Sequence, residues 1–254
     1  MSGPTVVVHR DAAALAVAAA ERLAARLVDA QKERGSACLA LTGGGVGTAV
    51  LDALRAGSGR LAVDWPRVDV WWSDERYLPS GDLARNETQA RAALLDHVDV
   101  DPARVHPMPA LDGPDGKDVD AAAARYAEEL ASCAPHRIGV PAFDVLLLGM
   151  GAEGHVASVF PESPAAYDER TVAAVHGCPK PPPTRITMGF AALTAAREVW
   201  LLVAGAEKAA AVAMALSGAG RVALPAAGAV GRTQTLWLLD EAAAAQLPPS
   251  LRRL

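Results

Sequence analysis

Cysteine is scarce. Cys38, Cys133 and Cys178 are scattered and form no C-x-x-C pair, so neither a disulfide framework nor a zinc site is indicated. Such usage fits a reducing cytosol, and a cytoplasmic protein is expected. Basic runs are missing and the formal charge is −5, which gives no footing for a nucleic-acid partner. Long apolar runs are missing too. The most apolar helix candidate, 12–28, is interrupted by Glu21, Arg22 and Arg26, so no membrane span is expected. The first residues, with His9, Arg10 and Asp11 after a short valine run, do not read as a signal peptide. There is no Walker A loop, because the Lys-Ser/Thr pair is absent, and no G-x-S-x-G nucleophile elbow.

What the chain does have is alternation. Strands are expected at 5–9, 37–41, 68–73, 143–148, 172–175, 198–203 and 235–239. Helices are expected from Asp11 to about Arg34, at 48–54, from a cap at Asn86 to about His97, at 118–133, 191–196, 205–216 and 240–246. Gly35 should end the first of these. No repeat or linker interrupts the series, so residues 1–254 read as a single α/β domain built on a mostly parallel sheet.

Residues 143–161, FDVLLLGMGAEGHVASVFP, are the centre of the reading. A buried strand runs into Gly149, Gly151 and Gly154, and His155 follows at once, with room for one helical turn over 155–160 before Pro161. The end of a strand in an open α/β sheet is where such folds bind ligands. Three readings stand here. The glycines match G-x-G-x-x-G, but a dinucleotide site needs a long helix after them, and Pro161 and Pro164 cut that off. The stretch can be a plain turn with a bystander histidine. Or His155 is a general acid or base, for which an imidazole has the right ordinary pKa.

Two further stretches bear on the choice. After 37–41, the run Thr42-Gly43-Gly44-Gly45-Val46-Gly47 reads either as a flexible turn or as a glycine loop leading into a helix, which suits an anion. After 68–73, the charges Asp74, Glu75 and Arg76 would ordinarily be a solvated loop. Trp71 and Trp72 before them argue for a packed wall behind. Lys208 falls in the first turn of a helix, where the dipole disfavours a cation unless it faces an anion.

Taken together, LALTGGG (39–45), VDVWWSDERYLP (68–79), the Asn86 helix start, the 143–161 segment, RITM (185–188), EVWLLVAGAEKAAAV (198–212) and LWLLDEAAAA (236–245) resemble the 6-phosphogluconolactonase family, within the wider glucosamine-6-phosphate isomerase/deaminase-like group. The resemblance covers nearly the whole chain. It implies a Rossmann-like, mostly parallel sheet with helices on both faces, and hydrolysis of 6-phospho-D-glucono-1,5-lactone in the oxidative pentose phosphate pathway. It implies no metal and no organic cofactor, a small sugar-phosphate lactone as the partner, and a monomer or small homo-oligomer. The family's catalytic histidine falls on His155, with Arg76, Asp74 and Glu153 beside it. Substrate contacts fall on Thr42, Gly43, Gly44 and Gly45, on Asn86, Gly151, Gly154, Arg185 and Lys208.

The chain departs from the pattern in two ways. The first loop has Val46 and Gly47 where the family usually has Ser and Pro, so no hydroxyl contact is available there. Glu153 replaces the usual Asp, which moves a carboxylate by about 1.5 Å. The alternatives are a glucosamine-6-phosphate deaminase/isomerase, a non-catalytic sugar-phosphate binder and a nicotinamide-dependent dehydrogenase. The deaminase pattern continues after Gly-His with a further carboxylate and has an aromatic where Arg76 stands. Here Val156-Ala157-Ser158 follows His155, which favours hydrolysis.

Overall fold

The computed structural model describes residues 3–134 and 139–251. Its first helix shows how the sequence acts locally. Leucines and alanines recur on one face of α1 (Ala12–Arg34), and that face is buried. Asp11 opens the helix by accepting from the Ala14 N–H at 2.7 Å. Gly35 closes it in the left-handed region, at φ 81°.

Six strands make a wholly parallel sheet in the order β1-β9-β8-β5-β2-β3. They are β1 (Thr5–His9), β2 (Ala37–Leu41), β3 (Val68–Trp72), β5 (Val145–Gly149), β8 (Glu198–Val203) and β9 (Gln234–Asp240). The interior strands β5 and β8 are apolar runs because both their faces are covered. Helices cover the sheet on both faces: α1 packs on α2 (Gly44–Ala56) and on β9, while α4 (Val119–Ser132) sets Tyr126 edge-on against Trp71. The chain order reverses at β2, which has β3 on one side and β5 on the other. That is a topological switch point, and a crevice opens at the C-terminal ends of β2 and β5.

A second sheet stands beside this crevice. It is antiparallel, in the order β4-β7-β6, from β4 (Asp74–Arg76), β6 (Val172–Val175) and β7 (Arg185–Met188). Ser73 joins the two sheets: its N–H donates to the Leu41 carbonyl at 2.9 Å and its carbonyl accepts from the Met188 N–H at 2.8 Å. So Asp74-Glu75-Arg76 is a strand and not a solvated loop, and Glu75 is fully buried.

Several boundaries differ from expectation. Residues 44–47 are the first turn of α2, which starts four residues before the expected 48. Glycine reads as a turn because it is a poor helix former, but Val50, Leu51 and Leu54 bury a face that holds the helix. Residues 155–160 form no helical turn. Gly151 donates to the His155 carbonyl and Gly154 to that of Gly151, both at 3.0 Å, so the backbone closes on itself. Helix α3 (Asn86–Ala93) is followed by a 3-10 turn, Leu95–His97. Asn86 is its first residue and not its cap; the buried Glu75 carboxylate caps it, accepting from the Asn86 N–H at 2.7 Å and the Glu87 N–H at 2.9 Å. Residues 241–246 are turns, because Asp240 accepts from the Ala243 N–H at 2.7 Å and ties the chain back. The remaining helices are short: α5 (Pro164–Tyr167), α6 (Phe190–Leu193), α7 (Ala209–Leu216) and α8 (Pro225–Gly228). A 3-10 turn, Ala206–Lys208, precedes α7.

Candidate active site

A cavity of about 140 Å³ lies in the crevice. Its floor is the end of β2 and the start of α2. The Thr42 hydroxyl accepts from the Gly149 N–H at 3.1 Å and so sews β2 to β5. Gly43 stands as the N-cap of α2 without a side-chain cap, and the helix's first turn faces the cavity with backbone N–H groups that an anion can satisfy. Gly43 has to be glycine: a Cβ there would lie 1.9 Å from the Asn86 Oδ1. Asn86 in turn donates to the Asp74 carbonyl at 2.8 Å and to its carboxylate at 3.2 Å.

The walls are cationic. Arg76 on β4, Arg185 on β7 and Lys208 before α7 all line the cavity, against the single carboxylate of Asp74. Among the described residues the Lys208 ammonium makes no hydrogen bond or ion pair, and the buried Arg76 Nε has no partner. Arg185 is more committed. It donates to the carbonyls of Lys180 at 2.9 Å, Pro181 at 3.1 Å and Pro182 at 3.1 Å, and to the Ser158 Oγ at 3.3 Å. It therefore pins the 178–183 loop and offers the cavity what remains of one Nη1. Ser158 is fully buried and donates to the Asp74 Oδ2 at 2.6 Å.

His155 hangs from the turn after β5. Its ring stacks on Phe160 with centroids 4.2 Å apart. Its Nδ1 is 3.0 Å from the Glu153 Oε1, although that buried nitrogen has no aligned hydrogen bond. Gly151 makes this possible, since a Cβ there would stand 2.1 Å from the same Nδ1. Glu153 is shared with Lys180, whose Nζ lies 3.0 Å from Oε1 and 3.1 Å from Oε2. Burial, helped by the Lys180 charge, holds the imidazole below its ordinary 6.5, against the opposite pull of Glu153. Partial burial raises the Glu153 carboxyl, but its own N–H, Lys180 and His155 outweigh this and leave it below 4.5.

Ten of the thirteen sequence-predicted site residues thus line one cavity: Thr42, Gly43, Gly44, Gly45, Asp74, Arg76, Asn86, His155, Arg185 and Lys208. Gly151, Glu153 and Gly154 are not among the lining residues. Gly151 and Glu153 support His155 from behind, and Gly154 packs on Leu224. Sequence reasoning missed Lys180, which reads as one more surface lysine in a proline-rich loop. It also left Ser158 without a task; no local pattern announces a hydroxyl that anchors a carboxylate 84 residues away.

Comparisons with known proteins bear on the family of the chain. The family model described as glucosamine-6-phosphate isomerases/6-phosphogluconolactonase matches residues 10–237. The chain is 60% identical to the 6-phosphogluconolactonase of Streptomyces coelicolor over 98% of this chain and 96% of that one. It is 51% identical to the 6-phosphogluconolactonase of Mycobacterium tuberculosis, over 96% and 98% respectively. The solved structure of the Trypanosoma brucei 6-phosphogluconolactonase superposes with a TM-score of 0.84 at 28% identity, covering 98% of this chain and all of that one. Among the described residues no helix is long and apolar enough to cross a membrane.

Proposed function

The chain belongs to the glucosamine-6-phosphate isomerase/6-phosphogluconolactonase family, and from that premise we propose that it hydrolyses 6-phospho-D-glucono-1,5-lactone to 6-phospho-D-gluconate, with His155 as general base. The observation that carries this reading is a histidine held below its ordinary pKa at the mouth of a cation-walled cavity on a helix N-terminus. The phosphate is the handle. The first turn of α2, Lys208 and the free edge of Arg185 grip it, and that remote binding energy orients the ring carbonyl.

With Nδ1 turned to Glu153, Nε2 takes a proton from water as its oxygen attacks C1. The C1–ring oxygen bond then breaks, and the imidazolium returns the proton to the leaving oxygen. A donor is needed for the carbonyl oxygen while charge builds there. The N–H groups of Gly151 and Gly154 are spent within their own turn, which favours Arg76, a cation on the cavity wall. Glu153, and not Asp74, is the carboxylate set beside the base to stabilise the imidazolium as it forms, because Asp74 is occupied by Ser158 and Asn86. The reaction would serve the oxidative pentose phosphate pathway, in the cytoplasm, on a freely diffusing substrate.

The test is the loss of the lactone, generated in place, against its spontaneous hydrolysis and with chelator present. Acceleration proportional to enzyme is expected. A folded protein that gives none overturns the reading and directs attention to ammonia release from glucosamine 6-phosphate.

A further inference from the structure

Lys180 sits at the tip of a loop that is fixed at both levels. The Cys178 N–H donates to the Pro183 carbonyl at 2.8 Å and closes the base of the loop. Arg185 holds the carbonyls of Lys180, Pro181 and Pro182 from below. The ammonium is therefore presented by a braced backbone, even though the side chain is half-exposed. It reaches both oxygens of Glu153, at 3.0 and 3.1 Å, and lies 5.9 Å from the Phe160 ring on which His155 stacks. Glu153 is thus claimed by one cation, Lys180, and by a ring that becomes one, His155, and the geometry favours the lysine: Nδ1 of His155 is at 3.0 Å but out of line.

We infer that Lys180 is a positioning residue, which draws the Glu153 carboxylate off line with His155 and so keeps that imidazole free to accept a proton. The inference rests on the reading of His155 as the base. A carboxylate charge left uncompensated beside Nδ1 favours the imidazolium, and a ring already protonated at the working pH cannot take the proton from water. Lys180 sets the balance: Glu153 near enough to stabilise the cation formed during reaction, but not so engaged as to form it beforehand. The other charges facing His155 are Asp74 and Arg76 from β4, Arg185 from β7 and Lys208 before α7, and none of them touches Glu153.

The experiment is an NMR titration of the His155 ring in the wild-type chain, Lys180→Met and Lys180→Arg, together with the pH dependence of kcat and KM for the lactone. Lys180→Met is expected to raise the His155 pKa by about one unit, the effect of a single nearby charge. The acidic limb of the kcat profile should move up with it, costing up to about tenfold in kcat below that limb, since one unit is a factor of ten in protonated fraction. KM should change little, and Lys180→Arg should restore both values. An unmoved titration overturns the inference. So does a raised KM with an unmoved limb, which would make Lys180 a substrate contact. The ring titration needs no substrate, so it decides the matter for Lys180 even if the lactonase reading fails on the wild-type assay.

Discussion

On the proposed reading His155 and Lys208 divide the work of the cavity, and single substitutions should separate them. His155→Asn keeps the polarity and approximate size of the ring but no base, so kcat is expected to fall at least about 100-fold while KM barely moves. Lys208→Ala removes an ammonium that has no partner among the described residues and, on the proposed reading, should mainly raise KM by loosening substrate and transition state alike. Steady-state kinetics on the two variants check both; an unchanged kcat in the first removes the general-base role. At this scale the sequence was readable where the chemistry requires a residue type in a local context: His155 after its glycines, Lys208 in a first turn. It was unreadable where a residue acts through distant partners. Lys180 acquires meaning only because Arg185 braces its loop, and Ser158 only because Asp74 arrives from another sheet.

Among the elements, α3 depends on an unusual cap. Glu75 comes from β4, is fully buried and accepts from three backbone N–H groups, those of Arg76, Asn86 and Glu87. Burial raises its carboxyl from 4.5 to about 7, against the pull of Arg85 and those N–H groups. A carboxyl whose pKa is higher folded than unfolded binds its proton more tightly when folded. Its contribution to stability is therefore fullest below pH 4.5 and is lost as pH rises through about 7. Glu75→Gln should flatten that slope, measured as the pH dependence of the denaturation midpoint, while an alanine, which uncaps α3 and takes from the buried Arg85 one of its two carboxylate neighbours, should cost roughly 1–3 kcal/mol. The parallel strands were legible because buried runs such as 198–203 have one reading. The second sheet was not, since β4 has only three residues, all charged, and pairs with a strand more than a hundred positions on. The start of α2 was missed because glycine permits both answers, and the helical turn expected over 155–160 does not form because the bonds made by Gly151 and Gly154 close the preceding backbone on itself.

Across the whole molecule, the cavity collects groups from β2, β4, β5, β7 and the turn before α7, so one small anion would bridge both sheets. Inorganic phosphate should therefore stabilise the chain globally. At a hundredfold excess over Kd the gain is about 2.7 kcal/mol, or roughly 5–10 °C in Tm for a chain of this size. Lys208→Ala should shrink the shift, and a Tm indifferent to phosphate would deny the grip. On the proposed reading the holding groups, on α2's first turn and at Lys208, and the reacting group, on the turn after β5, belong to separate stretches of chain that meet at the switch point. A lineage can rewrite the second without disturbing the first. A change confined to the turn after β5 would then alter what is done to a bound anion while leaving the grip on that anion intact.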